Sequence, residues 1–123
     1  MNTETAYELI ALHAAAEAGN THWDTLVSEV IINRRSANVR TYAQVGDARQ
    51  ATTTHAPTLL LTRAHNAILF LRDTWCEATG EVVWGFTFTY FSDDSFTIDY
   101  LYERPDWIAP LAVGENLQGD FTA

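Results

Sequence analysis

The sequence contains no lysine. Its seven basic residues are all arginine, set against sixteen acids for a net charge of −9. A field that negative repels DNA, RNA and anionic lipid surfaces, so neither a nucleic-acid nor a membrane partner is expected. A single cysteine, Cys76, leaves no internal disulfide and reads as a buried, inert thiol. No apolar run approaches the ~18 residues that a membrane-spanning helix needs. The opening stretch MNTETAYELIALHAAAEAG carries Glu4 and Glu8 and no base, unlike a secretory leader. A cytoplasmic protein is the simplest expectation. The six glycines are scattered, with no phosphate-cradling loop and no G-x-S-x-G. His13, His22, His55 and His65 show no metal-ligand spacing. Asp93-Asp94 lack the ligand count that calcium needs. Asp99 and Glu103 would stand ~13 Å apart along one strand, too far for a glycosidase acid pair. No enzyme, cofactor or metal is therefore expected.

What is present is unevenly placed. Residues 1–33 hold five acids and no base, residues 34–72 hold six arginines against Asp47, and residues 73–123 hold ten acids against Arg104. The arginines form no contiguous basic patch with interleaved aromatics, and they read as partners of the acidic excess or as solvent-facing. The acidic excess serves solubility and also suits a basic partner.

The 123 residues suit one domain with a real core. Helical spacing of Ala6, Leu9, Ile10, His13 and Ala16 predicts a helix over 4–18, with Thr5 and Glu8 as a capping box and Gly19 as its stop. His13 on that stripe reads as a core-edge residue. The β-branched run 25–33 reads as a strand, RRSAN as a turn, and 39–45 as a half-exposed strand. Residues 46–57 are apolar-poor and read mostly as loop, with a short third strand near 51–54. Leu61, Ala64, Ile68, Leu71, Trp75 and Ala78 predict a helix over 58–78, opened by Pro57 and closed by Gly80. Asp73 and Glu77 oppose its dipole, so another reason must hold them there. Strands over 82–91 and 95–103 follow, ended by Arg104-Pro105. The expectation is a single α+β domain over 1–107, ordered α-β-β-(β)-α-β-β. It has an antiparallel sheet with the helices packed on one face, and a tail, 108–123, partly ordered at most.

The final hairpin, FTFTYFSDDSFTIDYLYERPDW, fixes its own register. A three-residue loop, Ser92-Asp93-Asp94, sets Tyr90 opposite Phe96, Phe88 opposite Ile98, Phe86 opposite Tyr100 and Trp84 opposite Tyr102. Thr87 then pairs with Asp99 on the other face. A one-residue slip would put Tyr90 over Thr97 and Phe88 over Asp99. Such loops take a left-handed third residue, which Asp94 tolerates. The rings then read as a core wall covered by the 58–78 helix, and Leu101, pointing outward, needs a cover.

The terminal pattern resembles the YezG-like immunity proteins. It comprises Trp84, Phe86, Phe88, Tyr90, then Phe96, Ile98, Asp99, Tyr100, Tyr102 and Glu103, followed by Pro105 and Trp107. The match covers about a fifth of the chain, and its turn departs from the glycine usual in that family. The resemblance implies a small acidic cytoplasmic protein that binds and neutralises a cognate bacterial toxin, often a nuclease, by occluding its active site. The candidate contacts are Asp93, Asp94, Asp99, Glu103 and Asp106, with carboxylates standing where phosphate oxygens would sit, and Trp107 as an anchor. The alternative is an acidic secretion chaperone for an effector protein, which an exposed apolar strip on the first helix or at Phe91 and Leu101 would favour. Monomer and homodimer remain open, and an obligate dimer favours the chaperone.

Overall fold

The computed structural model describes residues 1–52 and 54–105. Among them are two helices and five strands, ordered α1 (Thr3–Ala18), β1 (Thr25–Asn33), β2 (Ser36–Val45), β3 (Ala48–Ala51), α2 (Thr58–Thr79), β4 (Gly85–Phe91) and β5 (Phe96–Leu101). The strands form one antiparallel sheet, β3-β2-β1-β4-β5. The expected α+β architecture is therefore the one observed. The expected third strand exists but lies at Ala48–Ala51, because the β2–β3 turn closes tightly at Gly46, with φ +57. Among the described residues no helix is long and apolar enough to cross a membrane.

Period two decides which side of each strand is buried. On β1 and β4, Val30, Ile32, Phe86 and Phe88 face Ala6 and Ile10 of α1 and Ala67, Ile68 and Leu71 of α2. Both helices thus sit on one face. Alanines at these contacts let the backbones approach closely. A smaller cluster of Ala14, Ala18, Leu26 and Ala43 extends the core under the C-terminal half of α1. Two buried hydroxyls on the covered face, Ser28 and Thr41, are cross-strand partners and bond each other at 3.1 Å, so neither is left unsatisfied.

The start of α1 differs from the sequence expectation, whereas Gly19, Pro57 and Gly80 bound the helices as expected. The N-cap of α1 is Asn2, whose Oδ1 accepts from Thr5 N at 2.8 Å; the Thr5–Glu8 capping box does not form the cap. Gly80 ends α2 in the left-handed conformation, its N–H donating to the Cys76 carbonyl at 2.8 Å. The β1–β2 loop is shorter than RRSAN: Asn33 pairs with Ser36, and Arg34 takes a φ of +59.

Arg72 takes the first of the two roles expected of the arginines, a partner of the acidic excess, and takes it inside the protein, 1 % exposed on α2. It bonds Asp73 through Nε at 2.9 Å and donates to the Arg34 carbonyl. This pairing accounts for Asp73, which opposes the dipole of α2 but balances a buried cation.

The β4–β5 hairpin has the expected register, with Tyr90 opposite Phe96, Phe88 opposite Ile98 and Phe86 opposite Tyr100. Two expectations about its rings are corrected. Trp84 does not join the core wall. Leu101 is the ladder partner of Gly85, yet its carbonyl also accepts from Trp84 N at 2.8 Å. Two residues therefore oppose one, a bulge that turns the strand. Trp84 swings to the opposite face and packs on Ile31, Val82 and Leu101; it is the cover that Leu101 required. The cover of the wall is also shared. Trp75 of α2 stacks on Tyr100 at 5.0 Å, whereas Tyr7 of α1 meets Phe96 at 4.8 Å. At the edge of the sheet this cover is incomplete, and Phe96 and Tyr102 stay 38 % and 42 % exposed.

Candidate functional site

The structure separates the acids that the sequence grouped. Asp93 and Asp94 sit exposed in the β4–β5 loop, and each has a local task. Asp93 Oδ1 accepts from Ser95 N at 3.0 Å and from Ser95 Oγ at 2.5 Å, and these bonds hold its carboxyl below the usual range. Asp94 takes φ +72, the left-handed value expected of it. It accepts the hydroxyl of Tyr90, which raises the Tyr90 phenol above its ordinary value. Asp99 is exposed on the face away from the helices, opposite Thr87. Glu103 is exposed past the end of β5. These four do not make one surface. Asp106 and Trp107 lie outside the described residues.

What the fold does bring together was not grouped in the sequence. The β4–β5 loop stands beside α1 and leaves a groove of about 480 Å³. One wall carries Glu4 and Glu8 of α1 and the other Tyr90 and Asp94; the apolar lining between them, its floor, is Tyr7, Ala11, Leu12, Ala15 and Phe96. Its floor is apolar, and Leu12 is 57 % exposed. Its carboxylates stand on both walls, Glu4 and Glu8 on one and Asp94 on the other, and among the described residues no lining residue is basic. Its sequence signal is a second stripe on α1, Tyr7, Ala11, Leu12 and Ala15, offset from the core stripe.

The opposite face is balanced instead. Arg49 Nη1 reaches Glu29 Oε1 at 3.6 Å and its guanidinium lies 5.2 Å from the Tyr42 ring centre. Arg40 stands across the ladder from Glu29, where a more polar hollow of about 320 Å³ includes both. Uncompensated charge over an apolar floor is a property of the α1 groove.

His13 is buried between the helices, with Nε2 3.2 Å from Glu17 Oε1 but making no hydrogen bond. Burial lowers its pKa from 6.5, opposed by Glu17 and assisted by His65. Burial, and next the Tyr7 hydroxyl, push the Tyr100 phenol up. Among the described residues no group of three or more His, Cys, Asp or Glu is placed to hold a metal ion. Neither models of known protein families nor curated proteins match this sequence.

Proposed function

We propose that the protein is a protein-binding inhibitor of the immunity type, which sequesters a basic toxin protein made by the same bacterium and occludes its active site. The observation that carries this reading is the α1 groove, where Glu4, Glu8 and Asp94 line an apolar floor with no base among the described lining residues. Acids at a rim speed encounter with a basic partner and reject acidic ones, while the apolar floor supplies the area that holds it. The net charge of −9 extends the same bias over the whole molecule. Asp93, Asp99 and Glu103 belong to the reading as outlying contacts that steer the approach.

A second reading, a secretion chaperone that holds an effector segment, is favoured by one feature: the unburied apolar strip of Leu12 and Phe96 on and beside the first helix. Co-expression with the product of the adjacent reading frame separates the two. An inhibitor forms a stoichiometric complex that abolishes that protein's toxicity. A chaperone forms an obligate dimer that keeps its client soluble and unfolded. Toxicity that persists in the presence of this protein, or a neighbour that is not toxic, removes the inhibitor reading.

A further inference from the structure

We infer that the groove between α1 and the β4–β5 loop anchors a short segment of the partner protein in which an apolar side chain stands next to arginine or lysine. This rests on the proposed function only in taking the occupant to be part of a protein.

The two walls define the chemistry. Glu4 and Glu8 are one turn apart on α1, and Asp94 stands across from them, so a cation entering between the walls meets carboxylate from both sides. The floor asks for the opposite chemistry. Leu12 is largely exposed and Phe96, though tilted against Tyr7, is incompletely covered. Apolar surface of this kind gathered in a concave site, rather than scattered, marks recognition. A purely basic segment would leave the floor wet; a purely apolar one would desolvate the carboxylates without pairing them.

The dimensions define the length. From Glu4 to Ala15 the helical wall runs ~16 Å, which matches about five residues of extended chain. A volume of about 480 Å³ admits a few side chains and excludes a folded domain. A second copy of this chain is the wrong occupant, because each copy brings a further charge of −9.

The test is a titration of the isotopically labelled full chain with the peptide acetyl-Leu-Arg-Leu-Arg-Leu-amide, followed by NMR, with Leu→Ser and Arg→Glu versions of the peptide as controls. The expected result is saturable amide shifts confined to residues 4–15 and 90–96, weakened by salt. The affinity should fall about tenfold or more in Leu12→Ser and in the double variant Glu4→Gln/Glu8→Gln. Leu12, Glu4 and Glu8 are all exposed, so these variants keep their fold, and their free spectra verify it. Shifts centred elsewhere overturn the inference. So does equal binding of the Leu→Ser or Arg→Glu peptide, or a dimer whose dilution shifts map to the groove. If the variants still neutralise a captured toxin as well as the parent chain does, the groove is wrong and the proposed function stands. If the peptide binds there and no toxin is neutralised, the groove stands and the proposed function falls.

Discussion

Arg72, buried on α2, donates a guanidinium hydrogen to the backbone carbonyl of Arg34, the left-handed residue of the β1–β2 loop. One cation thus ties the second helix to the far end of the sheet. It also keeps Asp73 close at hand, with Nη2 2.9 Å from Asp73 Oδ1. Removing it leaves a carbonyl and a carboxylate short of a donor. Arg72→Met should lower unfolding free energy by about 2–4 kcal/mol. Urea denaturation reads this as a lower midpoint at unchanged slope; a loss below about 0.5 kcal/mol would show that the pair contributes nothing net.

Asp94 combines a backbone task with a charge, and substitutions can separate them. Asp94→Gly keeps the left-handed turn and removes the carboxylate; Asp94→Ala removes the carboxylate and strains the turn. Asp94→Ala should be less stable than Asp94→Gly by about 1 kcal/mol, measured by chemical denaturation. Both should let the Tyr90 phenol titrate at lower pH, because its bond to Asp94 is what raises it most. An unchanged tyrosine absorbance titration would contradict that bond.

Gly85 is held by contact rather than by conformation. A Cβ placed there would lie 2.1 Å from the Val30 carbonyl oxygen and 3.2 Å from the Ile31 Cα, both backbone atoms of the paired strand. Neither can rotate aside. Gly85→Ala should cost about 2–4 kcal/mol and loosen the bulge that places Trp84. Thermal unfolding and the tryptophan emission maximum check both effects; a melting temperature equal to the parent's would show that β4 shifts freely.

His13 should make stability fall in mild acid. Its folded pKa is depressed below 6.5, chiefly by burial, so the unfolded chain binds the proton more readily. The contribution is complete above that ordinary value and is lost as pH falls through it toward the folded pKa, by at most about 1.4 kcal/mol per pH unit. Glu17 and His65 share the site and are present in parent and variant alike. His13→Leu should flatten the profile in this window relative to the parent. Parallel profiles in urea melts from pH 7 to pH 5 would exclude His13 as the source.

The sequence by itself determined the order of elements and the register of the final hairpin. Both are local: helical and strand periods differ, and a strand side chain either faces the core or does not. Tyr90, Phe88 and Phe86 opposite Phe96, Ile98 and Tyr100 leave one pairing that gathers the apolar side chains on a single face, and that pairing then calls for a left-handed Asp94. Tertiary structure decided what local periodicity cannot carry. A bulge at Gly85 took Trp84 out of the alternation and placed it over Leu101. Packing of α2 against the β1–β2 loop buried an arginine that its neighbours in sequence gave no reason to bury. Of the candidate contacts among the described residues, Asp94 alone joins the groove, because α1 lies across the loop end of the hairpin and brings Glu4 and Glu8 to it. Which distant faces meet depends on how the helices share the sheet, and that sharing is settled by the whole core at once.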